Sequence, residues 1–129
     1  NEKAREAIVI YTGWMENIIK YKELIYDLFH RGFAVYIMDH QAQGLSDRVD
    51  QSQRISHIRS FQHYVDDAIT FAKTAVGPRL RPSTKLCCVT HSMGGLITLS
   101  AMSMEPELFH RVSMTSPCCK LGGVPIPTW

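Results

Sequence analysis

The stretch Leu86-Cys87-Cys88-Val89-Thr90-His91-Ser92-Met93-Gly94-Gly95 decides how this chain is read. Residues 86–90 form a short, largely apolar run, as expected of a strand buried on both faces. From Met93 to Met104 the sequence is apolar nearly all round, which predicts a buried helix, broken at Glu105-Pro106. Ser92 therefore stands on an abrupt strand-to-helix turn. Such a turn strains the serine backbone and demands small neighbours where strand and helix approach. It also sets the helix N–H groups beside the hydroxyl, where they favour negative charge. A bland reading, a small residue packed at a tight turn, explains neither the strand before nor the helix after. Ser92 is the candidate nucleophile.

Working outward, the same alternation repeats. Ala7-Ile8-Val9-Ile10-Tyr11 is a continuous apolar run and reads as a buried strand. Asn17 can cap a helix over about 18–31, with Tyr21, Leu24, Ile25, Leu28 and Phe29 on its core face and Gly32 ending it. Residues 33–38 read as a second buried strand with Asp39 at its end. A polar loop follows to about Arg59. Ser60 can cap a further helix with Phe61, Val65, Ala68, Ile69, Ala72 and Val76 on one face, ended by Gly77-Pro78. Val112 to Thr115 reads as a fourth strand, and 117–129 as irregular. Strand–helix alternation implies βαβ units and a parallel sheet, with ligands bound beyond the carboxyl ends of the strands.

Composition narrows the function class. The chain has 129 residues, 45% hydrophobic and 20% charged, ordinary for one globular domain. A net charge of +2 without a basic stripe argues against nucleic acid as partner. No apolar run reaches the roughly 18–20 residues of a membrane span, and no signal segment opens the chain. The first residue is Asn1 rather than Met, so the chain is expected to be a processed or partial product. Cys87-Cys88 and Cys118-Cys119 have neither chelating nor disulfide-framework spacing; they read as reduced, mostly buried small side chains, consistent with the cytoplasm.

Two more segments sit at strand ends: Gly13-Trp14-Met15-Glu16-Asn17, with Tyr21 beyond, and Asp39-His40-Gln41-Ala42-Gln43-Gly44-Leu45-Ser46. With His91-Ser92-Met93-Gly94-Gly95, their order and spacing resemble the α/β-hydrolases, in the monoglyceride lipase and lysophospholipase branch. They are similar to that branch's HG-x-GEH…Y loop, its D-H-x-G-x-G-x-S run and its nucleophile elbow. The stretch from Tyr26 to Phe33 looks most like the bacterial lysophospholipase L2 group. The resemblance covers Ala7 to Trp129.

The resemblance implies an α/β class and a partial α/β-hydrolase fold. Residues 1–129 would form one partial core domain, a central parallel sheet with helices on both faces. The lid and the C-terminal strands that carry the acid and base would lie beyond it. Ser92 would attack a lipid ester, lysophospholipid or monoacylglycerol, and form an acyl-enzyme. The backbone N–H groups of Trp14 and Met93 would form the oxyanion hole, each worth about 3–4 kcal/mol. Gly13, Thr90, His91, Gly94, Gly95, Asp39 and Gly44 would shape the elbow and loops. No cofactor or metal is implied. Peripheral contact with a membrane surface would come through the lid. Three positions depart from the pattern: Thr90 and Ala42 replace glycines, and Thr12 replaces a histidine.

Other acids and histidines fit a triad poorly. Glu105, Glu107 and His110 fall at the opposite sheet edge, about 16–20 Å from Ser92 by helix rise. Asp39 next to His40 reads as a loop-shaping pair that accepts backbone hydrogen bonds, and His91 as a residue that orders the elbow. The chain alone is thus expected to lack a base for Ser92 and to be inactive. Two alternatives stay open: a non-catalytic hydrolase-fold protein that binds a lipid or a partner, and a peptidase or thioesterase on the same fold.

Overall fold

A computed structural model describes residue 4, residues 6–48 and residues 56–119. The loop reading of 49–55 and the irregular reading of 120–129 lie outside the described residues. Within them run β1 (Glu6–Tyr11), a 3-10 turn (Ile18–Tyr21), α1 (Lys22–His30), β2 (Ala34–Ile37), α2 (Gln62–Thr70), β3 (Lys85–His91), α3 (Met93–Met104) and β4 (Arg111–Thr115).

The strands pair in the order β2-β1-β3-β4, all parallel. Tyr11 is level with Thr90, and His91 with Thr115, so the C-terminal ends of β1, β3 and β4 finish together. The path from β1 to β2 runs one way along the sheet, and the path from β2 to β3 and β4 runs back. Right-handed crossovers then put α1 on one face and α2 and α3 on the other. In keeping with this, the main core cluster holds Tyr64, Ala68, Met93 and Ile97 from α2 and α3, and no residue of α1. The direction reverses between β1 and β3, which opens the crevice where such sheets bind ligands.

β1 is an interior strand, paired on both sides. Its residues Ala7, Val9, Ile10 and Tyr11 are wholly buried, as its unbroken apolar run requires. Tyr11 reaches under α2 and donates its hydroxyl to the Ala68 carbonyl at 2.7 Å. A few residues on, α2 widens into a π-helical turn (Phe71–Val76) and then a 3-10 turn (Gly77–Arg79). A side chain inserted into the helix ladder is a known cause of such widening. The single helix expected to stop at Gly77-Pro78 is therefore three segments that run on through both residues.

Other expectations need correcting. The helix expected over 18–31 begins as a 3-10 turn, with the Asn17 carboxamide oxygen accepting from Ile19 and Lys20 N–H. α1 buries none of its apolar stripe; Leu24 and Phe29 are exposed. β2 is four residues long and half-buried throughout, because it is an edge strand of the described sheet. α3 is buried along one face only, with Leu99 and Met104 open to solvent. Of the four cysteines, all free, only Cys88 is buried. No helix among the described residues is long and apolar enough to cross a membrane.

Candidate active site

β3 ends at His91 and α3 begins at Met93, so the chain turns from strand to helix at the single residue Ser92. Ser92 has φ 51° and ψ −115°, a conformation that costs a non-glycine residue about 1–3 kcal/mol. The fold holds it there from several sides. Ser92 N–H donates to the Thr115 carbonyl at 3.1 Å, while the Ser92 carbonyl accepts from Gly95 N–H at 3.0 Å and Cys118 N–H at 2.9 Å. A Cβ on Gly94 would fall 2.2 Å from the Tyr11 carbonyl oxygen, and one on Gly95 would fall 2.6 Å from the Pro117 Cβ. Both glycines are thus required by close approach. Thr90, where the pattern has glycine, is buried without preventing the turn. Met93 begins α3, so its N–H belongs to the first turn, where no intrahelical acceptor exists.

The loop after β1 lies against this elbow. Gly13 has no room for a side chain: a Cβ there would meet the Glu16 carboxylate at 2.9 Å and His91 Nδ1 at 3.0 Å. Trp14 is half-exposed, with its ring edge-on to Tyr64 at 6.5 Å. Met15 carries a positive φ of 57°. The chain turns here around the Glu16 carboxylate, which is only 9% exposed. It accepts the Gly13 N–H at 2.6 Å and the Tyr21 hydroxyl, and it pairs with the Lys20 ammonium. His91 Nδ1 lies 3.0 and 3.1 Å from its two oxygens. Burial alone would raise the Glu16 pKa; the hydrogen bonds from Lys20, Tyr21, Gly13 and His91 outweigh it and hold the carboxyl at about 2. The sequence assigns Glu16 no role and Tyr21 only a place on a helix's core face; the structure instead turns the Tyr21 hydroxyl onto Glu16. The Glu16–Lys20 spacing was a local signal, but His91 lies 75 residues away.

The loop after β2 is organised by Asp39. Its carboxylate accepts Ile18 N–H at 2.8 Å and Leu45 N–H at 2.9 Å, and its carbonyl accepts the Ser46 hydroxyl at 2.6 Å. Asp39 thus fastens the loop to the start of the 3-10 turn. Gly44, at φ 51°, presses on this carboxylate; a Cβ would lie 2.1 Å from Oδ2. His40 is wholly buried between the Tyr11 and Tyr64 rings at 6.0 and 5.5 Å. Burial pushes its imidazole down to about 4, so it is neutral near pH 7. Gln43, also buried, donates to the Tyr64 hydroxyl at 3.4 Å. Tyr64 was not expected in the core; its ring closes the space between the two loops and α2.

The structure gathers Gly13, Trp14, His91, Ser92, Met93, Gly94 and Gly95 at one sheet edge, with Asp39 and Gly44 bracing them from the neighbouring loop. Glu105, Glu107 and His110 lie elsewhere: Glu105 pairs with Lys73 at 2.6 Å, and His110 N–H meets the Leu86 carbonyl at the start of β3. Cys88 is held up to about 12 by burial, against a hydrogen bond from Thr98, and so stays a thiol. Among the described residues no three His, Cys, Asp or Glu side chains group as metal ligands.

Comparison with known proteins agrees with this architecture. The chain is 39% identical over 110 residues to lysophospholipase L2 of Escherichia coli strain K12, a match covering 85% of this chain and 32% of that protein. The chain thus spans about a third of the length of the curated relatives it matches. A carboxyl esterase from Bacillus coagulans superposes with a TM-score of 0.74 over 87% of this chain and 36% of that one, at 19% identity. A monoacylglycerol lipase from Paleococcus ferrophilus superposes with a TM-score of 0.67 over 86% and 38%, at 23% identity. These two show the fold. A hydrolase family model described as serine aminopeptidase, S33, matches residues 2–129. With that match across nearly its whole length and an α/β-hydrolase sheet, the chain belongs to this family of α/β-hydrolases.

Proposed function

We propose that this chain carries the nucleophile and oxyanion hole of a serine carboxylic-ester hydrolase acting on lysophospholipid or monoacylglycerol. The observation that carries the proposal is the backbone of Ser92. A residue at φ 51°, fixed on three sides at the head of α3, has no packing reason to be strained. It has a chemical one, since it projects a hydroxyl beside the free N–H groups of a helix start. Ser92 Oγ attacks the ester carbonyl. The developing oxyanion is held by the Met93 and Trp14 N–H groups, the acyl group passes to Ser92, and the alcohol leaves. Water then releases the fatty acid. The acid and base follow Ser92 in the chain order of α/β-hydrolases, Ser, Asp or Glu, then His, and come from sequence beyond residue 129. The lipid substrate class rests on the 39% identity to a lysophospholipase.

The family description as a serine aminopeptidase supports a second reading in which the same elbow cleaves a peptide bond. One experiment separates the two. The complete protein is labelled with a fluorophosphonate and assayed on lysophosphatidylcholine, a monoacylglycerol and an aminoacyl p-nitroanilide. Labelling lost in Ser92→Ala together with lipid hydrolysis is the expected result. Release of p-nitroaniline with no fatty acid replaces the lipase reading by the peptidase one. Labelling that survives Ser92→Ala removes both.

A further inference from the structure

We infer that Glu16 is a positioning residue for the oxyanion hole, locking the Gly13-Trp14 segment to the strand that presents Ser92; this rests on the ester-hydrolase reading above. Glu16 makes contact in three directions at once. It accepts the N–H of Gly13, the residue directly before the proposed donor Trp14. It contacts Nδ1 of His91, the residue directly before Ser92. It is held from behind by Lys20 and the Tyr21 hydroxyl at the 3-10 turn. The two backbone segments that must face the same oxyanion are thus tied to one side chain, itself nearly buried.

The local backbone needs such a tie. The segment between β1 and the 3-10 turn, residues 12–17, has no regular structure of its own; Trp14 is half-exposed, and Met15 is strained at φ 57°. An oxyanion donor acts only if it is already aimed when charge develops, since an amide that must reorganise stabilises the transition state less. Gly13 fits this role. A Cβ there would meet both the Glu16 carboxylate and the His91 ring, so any larger residue would disturb their contact. Glu16 does not touch the reacting atoms. Its carboxylate is already shared among Gly13, Lys20, Tyr21 and His91, and His91 leaves strand β3 ahead of the turn that projects Ser92.

The test uses the complete protein with Glu16→Gln and Glu16→Ala, a soluble short-chain ester, and hydrogen–deuterium exchange. Positioning predicts kcat lower by roughly tenfold in Glu16→Gln and roughly a hundredfold in Glu16→Ala, no more than the lower end of the roughly 100- to 1,000-fold set by outright loss of a donor, with KM moving less than about twofold. Exchange in the segment 12–17 speeds up about tenfold while that of β1 stays as in wild type. Unchanged kcat in both variants overturns the inference. So does unchanged exchange in both. A loss of about 10⁴ in Glu16→Gln would instead make Glu16 the acid of a catalytic pair with His91, and overturns positioning as well. If wild type hydrolyses no ester, the ester-hydrolase reading falls, and the exchange arm still decides whether Glu16 holds the loop.

Discussion

The Tyr11 carbonyl oxygen lies 2.2 Å from where a Cβ on Gly94 would sit, so the end of β1 and the first turn of α3 are in backbone contact. Tyr11 C and Thr12 O close the same space at 2.7 and 2.9 Å. Alanine is the better helix former by about 1 kcal/mol, but here its methyl would strike backbone on an interior strand that cannot move. Overpacking of about 1–3 kcal/mol or more outweighs the propensity gain. Gly94→Ala is expected to lose about 2 kcal/mol in urea denaturation, and Ser92 labelling with it. Gly95→Ala would meet the Pro117 Cβ at 2.6 Å and its Cα at 3.0 Å, atoms of a ring with little freedom, and should lose stability as well. Gly94→Ala as stable as wild type would mean that strand and helix are not this close.

Ser92 stores strain, and removing it should stabilise the protein while abolishing activity. At φ 51° and ψ −115°, glycine sits with little penalty where serine bears about 1–3 kcal/mol. Glycine also costs about 0.5–1 kcal/mol through the entropy of the unfolded chain. Strain relief is the larger effect, so Ser92→Gly should gain about 1 kcal/mol, whereas Ser92→Ala, which keeps a Cβ, should change little. A thermal or urea melt of the two variants side by side reads this. Equal stability of glycine and alanine at this position would remove the strain argument.

Two buried groups give stability two separate pH windows. His40 is neutral in the fold, held down to about 4, against about 6.5 in the unfolded chain. Between those values the unfolded state binds the extra proton, so stability is lost as pH falls from about 6.5 to about 4. Glu16 is held at about 2 against about 4.5 when free, so its contribution is complete above about 4.5 and is lost as pH falls toward 2. His40→Gln should flatten the upper window of a Tm-versus-pH curve and leave the lower one. Glu16→Gln should do the reverse. A single acid transition untouched by either variant would contradict both assignments.

What the sequence revealed and what it hid divide along physical lines. β1, β3 and the head of α3 were legible because unbroken apolar runs bounded by small residues leave few alternatives, and the elbow was legible from that context even with Thr90 in place of glycine. The apolar stripe of α1 was visible too, but a stripe shows that a face wants a partner, not that it has one, and β2 covers it only in part. Tyr64 escaped because a tyrosine among Gln62, His63 and Asp66 reads as surface; only the fold brings His40, Gln43 and Trp14 around it. Glu16 escaped for the same reason, since a buried carboxylate is defined by its partners and one of them is 75 residues away.

Ala42 offers the last test, because two opposing effects are nearly balanced there. It sits at φ 62° in the loop after β2, wholly buried, where related sequences were expected to carry glycine. Its N–H donates to Asp47 O at 2.9 Å and its carbonyl accepts the Ser56 hydroxyl at 3.0 Å, which fixes the left-handed turn. Changing it to glycine relieves about 1–2 kcal/mol of left-handed strain. The same change loses about 0.8 kcal/mol for a buried methyl and roughly 0.5–1 kcal/mol in unfolded-chain entropy. Ala42→Gly should therefore fall within about 0.5 kcal/mol of wild type. At Ala68, equally buried but in α2, the strain term is absent and both losses apply. Ala68→Gly should cost about 2 kcal/mol, combining the lost methyl with helix propensity. Urea denaturation of the pair decides the matter: if Ala42→Gly costs as much as Ala68→Gly, the left-handed strain at Ala42 is not there.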